Sequence, residues 1–129
     1  MIFDDLERDS FLRELKAGAE AAGVPADEDW DRQVSVRADS AGHEYTWSYA
    51  ERAHIRMRDR DDLLQKILLV PIAKAAEGWV AATPAPGESP SERAFARQVE
   101  LMARVRADWA ERLRRRGDEI LRRPGWRKL

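Results

Sequence analysis

Apolar residues recur first at helical spacing. Phe11, Leu12, Leu15, Ala19 and Ala22 share one stripe of a helix expected from about Asp4 to Ala22, and Gly23-Val24-Pro25 is its stop signal. An acidic loop follows, with Asp27, Glu28, Asp29 and Asp31 around Trp30. The period then falls to two. Val34, Val36 and Ala38 alternate with polar residues, Ala41-Gly42 makes a turn, and Tyr45, Trp47 and Tyr49 share one face of a second strand. Ala53, Ile55 and Met57 alternate with Arg52, His54, Arg56 and Arg58 on a third. Connections this short predict an antiparallel meander, apolar on one face and polar on the other.

Helical periodicity returns at about residue 61. Leu63, Leu64, Ile67, Leu68, Ile72, Ala75, Ala76, Trp79 and Val80 cover a stripe too wide for a helix with one exposed face, so this segment, to about residue 82, is expected at the centre. Asp59 to Asp62 supply its N-cap candidates, and Pro71 is expected to bend it. Thr83 to Pro90 carries three Pro and a Gly and reads as a loop. Ser89 can then cap a third helix, with Pro90 at its first position and Glu92 placed to reach back as in a capping box. Phe95, Val99, Met102, Trp109, Leu113 and Ile120 form its stripe, which stops near Pro124-Gly125. The fold class is α+β: an N-terminal helix, a three-stranded antiparallel meander, then two longer helices packed on the sheet.

Composition bounds what this fold can do. The chain has 129 residues, 43% of them hydrophobic, with five Trp, which suits one domain over 1–129 with a small core. Its 23 Lys+Arg against 24 Asp+Glu give a net charge of −1, which excludes a simple polybasic or acidic tail. The balance is uneven, however. Residues 1–62 hold 16 acids and 9 bases, and residues 63–129 hold 8 acids and 14 bases. With no Cys, disulfides, thiolate nucleophiles and Cys-ligated zinc are excluded. The segment Met1-Ile2-Phe3-Asp4-Asp5 lacks the regions of a signal peptide, and no apolar run approaches the ~20 residues that span a bilayer. A soluble cytoplasmic protein with no membrane partner is expected.

Chemistry is sparse. There is no phosphate-binding glycine loop, no dinucleotide fingerprint, no GxSxG and no HExxH. His43 lies beside a turn and His54 on a polar strand face, where Glu44 or Tyr45 could meet it across the hairpin; two scattered His make a poor metal site. No catalytic residue, cofactor or metal is assigned, and the protein is expected not to be an enzyme. Asp27 to Asp31 lacks the glycine and the final glutamate of a calcium loop. The Arg-rich last helix is the one feature that suggests nucleic acid. Its Glu100/Arg104, Arg104/Asp108, Asp108/Arg112 and Glu111/Arg115 spacings all allow pairing within the helix, leaving Arg114 to Arg116 and Arg122-Arg123 in excess. A nucleic-acid-binding module on this helix is the alternative to a protein binder. Tyr45, Trp47 and Tyr49 read as core in preference to a base-stacking platform.

Two stretches carry a resemblance. From His43 to Leu69 runs Tyr45 or Tyr49 leading to Glu51-Arg52, then an Arg- and Asp-rich link, then Asp61-Asp62-Leu63-Leu64 opening a helix. From Phe95 to Pro124 run Arg97, Gln98, Glu100-Leu101, Trp109 and Glu119-Ile120-Leu121. Together they cover a little under half of the chain. They resemble the immunity protein 63 family, small bacterial proteins that guard a cell against a polymorphic toxin. One departure is Gln65-Lys66, where the family often places aromatics after the Leu-Leu pair. The resemblance implies binding without catalysis: the protein would sit on a cognate toxin domain and block its active site or substrate path. If that toxin were a nuclease, its basic groove would face the acidic N-terminal half. Asp27, Glu28, Asp29, Asp31 and Glu51 are therefore the expected partner contacts, and the Asp27–Asp31 cluster has no evident local partner. Nothing in the pattern specifies an oligomeric state.

Overall fold

The computed structural model describes residues 2–122, with side chains through Glu119. In chain order the elements are β1 (Ile2–Phe3), α1 (Asp5–Ala22), α2 (Trp30–Gln33), β2 (Val34–Asp39), β3 (Gly42–Ala50), β4 (Ala53–Met57), α3 (Arg60–Ala82), α4 (Pro90–Val105) and α5 (Ala107–Arg122). The α+β class stands, and three details differ from the sequence reading. The sheet has four antiparallel strands in the order β1-β2-β3-β4. A single turn of helix occupies part of the acidic loop, and the last helix is two helices. The expected stop at Pro124-Gly125 lies outside the described residues.

Local chemistry explains most boundaries. Asp4 caps α1 through Oδ1, which accepts the Glu7 N–H at 3.0 Å, and Gly23 ends it at φ 72°, a left-handed conformation that suits a residue without Cβ. Asp59 caps α3 by accepting the Asp62 N–H at 3.0 Å. Ser89 caps α4 by accepting the Glu92 N–H at 3.4 Å, with Pro90 in the first turn. The β2–β3 turn is closed by Asp39, whose Oδ1 accepts the Ala41 N–H at 2.8 Å. Strand β1 escapes periodicity because it has two residues; Ile2 pairs with Ala38 and Phe3 with Arg37, and the Asp4 N–H continues the pairing to the Val36 carbonyl at 2.9 Å. α3 continues through Pro71 to Ala82.

The core lies between one sheet face and the helices. Val34 and Val36 of β2 and Tyr45 and Trp47 of β3 meet Phe11, Leu12 and Leu15 of α1 and Leu63, Leu64, Ile67, Leu68 and Ile72 of α3 in one buried cluster. Tyr49 keeps its place beside Trp47, with ring centroids 5.0 Å apart, but is exposed and not core as expected, at the point where the β3–β4 register shifts between Ser48 and Ala50. α4 packs chiefly on α3, α1 and α5 and does not share the sheet face as expected. Gly18 lets α3 approach α1 closely: a Cβ there would lie 2.7 Å from Leu68 Cδ1.

The last helix breaks at Arg106, whose φ −155° and ψ 129° are extended. Its N–H still closes α4 on the Met102 carbonyl, and its carbonyl opens α5 by accepting the Ala110 N–H. The side chain fixes the corner. Arg106 donates to Asp108 and to Asp61 of α3, and its guanidinium lies 4.6 Å over the Trp109 ring. α5 folds back on α4, so that Phe95 meets Gly117.

Arg60, at the first turn of α3, joins three elements. Its Nε donates to Glu7 at 2.7 Å, Nη1 pairs with Glu14 at 2.8 Å, and Nη2 donates to Ser10 Oγ at 3.3 Å. The Tyr45 hydroxyl donates to the same Glu7 carboxylate at 3.2 Å, and the Tyr45 ring stacks on Phe11 with centroids 5.3 Å apart. Burial, with the Glu7 charge beside it, pushes the Tyr45 phenol up to about 12.

Three outcomes follow for stability. Gly117→Ala puts a Cβ 2.2 Å from the Phe95 ring, and is expected to destabilise by about 1–3 kcal/mol in urea unfolding through overpacking. Gly78→Ala, with nothing within 4 Å of its Cβ, is expected to stabilise by about 1 kcal/mol from helix propensity. Because Tyr45 holds its proton more tightly in the folded chain, its contribution is full below about pH 10 and is lost as pH rises from about 10 to about 12. Melting temperatures across that range should fall for the wild type more steeply than for Tyr45→Phe.

Candidate functional site

The sheet register assembles the expected contact residues at one end. Val34 stands opposite Trp47, so the segment before β2 and the turn after β3 lie at the same end of the sheet. The first carries Asp27, Glu28, Asp29 and Asp31, and the second carries Glu51. Trp30 anchors the acidic segment. It is 2% exposed, so the centre of an acidic loop becomes part of the core. Trp47 Nε1 donates to Gln33 Oε1 at 3.1 Å and ties α2 to β3.

The carboxylates of this segment are not equivalent, and the expectation that none has a local partner is corrected. Asp27 Oδ1 accepts the Asp29 N–H at 2.8 Å and shapes the loop. Asp29 pairs with Arg32 one turn on, and Asp31 pairs with Lys16 of α1 at 3.3 Å. Arg8 of α1 donates from Nε to the Val34 carbonyl at 3.0 Å and from Nη2 to the Asp31 carbonyl, which holds the segment against α1. Glu28 and Glu51 are exposed and have no side-chain partner among the described residues. Exposed pairs such as Asp29–Arg32 and Asp31–Lys16 contribute little each, roughly 0–1 kcal/mol, so an incoming cation could exchange with them.

On the outer sheet face His54 meets neither Glu44 nor Tyr45 among the described residues. His54 Nδ1 lies 3.0 Å from Ser48 Oγ, and Tyr45 points to the opposite, buried face. His43 Nε2 meets Asp4 Oδ2 at 2.9 Å; the Glu7 N–H first, then His43, hold the Asp4 carboxyl below the usual range. Among the described residues no group of three or more His, Asp or Glu is arranged to hold a metal ion. A concavity of about 850 Å³ is an open groove between the end of α3 and the start of α4, lined by Val80, Ala81, Pro84, Pro86 and Ala94 among others. Its Glu88 is paired with Arg93. Among the described residues no helix is long and apolar enough to cross a membrane.

The arginines of α5 are engaged more than their spacing promised. Arg114 pairs with Glu111 and Asp118, Arg115 with Glu111, and Arg116 with Asp62 of α3 at 3.6 Å. The expected excess at Arg114 to Arg116 is therefore absent, while the Arg122-Arg123 side chains lie outside the described residues. Three of the four expected i,i+4 pairs are replaced. The break at Arg106 puts Arg104 and Asp108 on different helices, Glu100 pairs with Arg97, and Asp108 pairs with Arg106.

A family model described as Immunity protein 63 matches residues 41–119, more than half of the chain. The chain belongs to the immunity protein 63 family. The match runs from the β2–β3 turn through most of α5 and so includes Glu51, the central helix and the α4–α5 corner. No curated protein and no solved structure matches the chain. An immunity protein implies a toxin as its protein partner, and the geometry bears on which of its surfaces is free to meet one.

Sequence reasoning missed Trp30 as the anchor of the acidic segment, because its neighbours are all polar. It also passed over Ile2, Phe3 and Leu6, which are exposed. Leu6 lies nine residues before Leu15, two and a half turns, and so faces away from the buried stripe of α1. Trp30→Ala should cost about 3–5 kcal/mol in urea unfolding, because it empties a core position.

Proposed function

We propose that this immunity protein binds a cognate domain of a bacterial polymorphic toxin in the cytoplasm and neutralises it by occluding the active site or the path of the substrate. Asp27, Glu28, Asp29, Asp31 and Glu51 form the acidic part of the contact. The observation that carries the reading is family membership, joined to an exposed set of carboxylates at one end of the sheet. Glu28 and Glu51 are its free charges. A toxin that acts on nucleic acid has a basic substrate groove, and an acidic surface presented to it speeds encounter and selects the partner. The chain contributes contacts and no chemistry of its own. The pairing of Arg114 to Arg116 within the fold favours this reading over a nucleic-acid-binding module on the last helix.

The test is co-expression with the C-terminal domain encoded by the adjacent upstream gene. Cells should survive with the wild-type protein, and the purified pair should associate at a rate that falls as salt is raised. Glu28→Lys with Glu51→Lys should slow association by about tenfold or more at low salt while the melting temperature holds, since opposed surface charges act chiefly on the on-rate. Cell death despite the wild-type protein, or no association of the pair, would overturn the reading.

A further inference from the structure

The strand order β1-β2-β3-β4 leaves the sheet with two edges. β1 has two residues and offers little backbone, whereas β4 runs for five, from Ala53 to Met57. In an antiparallel pair, alternate residues turn their N–H and C=O groups away from the partner strand. Among the described residues, β4 has no backbone hydrogen bond outside its ladder with β3, so the groups turned away from β3 have no protein partner. An open edge of this kind is a template for one more strand.

The apolar row of the sheet is also unfinished here. Val34, Val36, Tyr45 and Trp47 are buried. Ile55 and Met57, which stand across from Trp47 and Tyr45, are only half-buried and pack at the fringe of the core. They occupy successive inward positions of one strand, so they form one apolar strip along the edge. β4 packs chiefly on β3, and a further strand would cover that strip from the other side.

Charge selects the kind of strand. The outward positions of β4 are His54 and Arg56, with Arg58 just beyond. Arg58 is committed to Asp39 at 2.8 Å, and the Glu44 charge acts on it as well. Arg56 is exposed and has no side-chain partner among the described residues. It stands across from Thr46, and His54 stands across from Ser48, whose hydroxyl it meets at 3.0 Å. The β3 positions facing this part of the edge are therefore neutral hydroxyls. The turn before β4 carries one charge of each sign, Glu51 and Arg52, and Asp59 beyond it caps α3. Arg56 sets the sign of the edge, and that sign is positive.

We infer that the free edge of β4 receives an extended strand of the toxin domain, with apolar residues facing Ile55 and Met57 and an Asp or Glu between them facing Arg56. Backbone hydrogen bonds hold such a strand, and the alternation of its side chains selects it. The inference rests on the function proposed above. Glu51 lies in the turn that opens β4, so the added strand adjoins the proposed acidic contact. A second copy of the chain fits the edge poorly. In a two-fold antiparallel pair that keeps the two apolar strips together, Arg56 falls opposite His54 or Arg56 of the other copy, or with slipped register opposite Arg52 or Arg58. No such register gives it an acid, and like charges directly opposite oppose pairing.

The experiment uses the full chain and a catalytically inactive form of the upstream-encoded C-terminal domain. Hydrogen exchange is followed for the amides of residues 53–57, free and in the complex, and affinity is measured by titration calorimetry. The fast-exchanging amides of β4 should slow by at least about tenfold in the complex, because an added strand accepts their hydrogen bonds. Arg56→Glu should weaken binding by at least about 30-fold with a melting temperature close to wild type, since it sets like charges opposite each other. Arg56→Lys keeps the charge and should bind within about threefold of wild type, as should Lys74→Glu, at an exposed and unpaired base of α3. If the wild type binds but β4 gains no protection, or Arg56→Glu binds as tightly as wild type, the strand addition is wrong and the proposed function survives. If the wild type fails to bind, the proposed function falls and the strand addition with it. A wild-type dimer in sedimentation whose β4 amides are already protected would give the edge to a second copy and overturn the inference.

Discussion

The arrangement of this protein depends on one guanidinium. Arg60 stands where the meander ends and the central helix begins, and it pairs with Glu7 and Glu14 on α1. Through the shared Glu7 carboxylate it reaches Tyr45 on β3. The planar fork suits this task, since it gives several donors in fixed directions to carboxylates about two turns apart on one helix. The Arg60 and Glu7 side chains are about three-quarters buried, so solvent screens their pair less than it screens the surface pairs. The ion pairs also carry directional information that apolar contact lacks. They fix how far along α1 the first turn of α3 sits, and hence where Leu68 meets Gly18.

Once α1, β3 and α3 are locked, the distribution of charge follows. The two halves of the chain differ in sign, and part of that difference is spent on contacts between them: Asp61 takes Arg106, and Asp62 takes Lys66 and Arg116. On α5, Arg114 and Arg115 pair with acids of their own helix, and Arg116 with Asp62 of α3. Among the described residues, exposed acids without a side-chain partner, such as Glu28 and Glu51, stand on the same surface as equally unpaired bases, such as Arg13 and Arg52.

Much of the fold was legible because it follows from short-range rules. The α1 stripe, the caps at Asp59 and Ser89, and the alternation of Val34, Val36, Tyr45 and Trp47 each depend on residues within a few positions of one another. Other features were not legible for equally specific reasons. β1 is too short to show a period, and Trp30 is buried by residues distant in sequence. The stripe from Met102 to Trp109 is the same whether the helix continues or turns, since both residues are buried either way. Arg106 carries no proline or glycine to announce the corner. It is held there by Asp61, far away in the chain.

The nature of the site divides along the same line. By itself the sequence determined an α+β chain of the immunity protein 63 type with an acidic N-terminal half, since composition, periodicity and motif order are properties of the chain alone. The tertiary structure decided which charges are free. Glu28 and Glu51 remain available while Asp29, Asp31 and Arg114 to Arg116 are engaged, and Leu6 is left in water. The physical reason is that pairing and burial depend on distances between residues remote in sequence, and helix crossings and strand register set those distances.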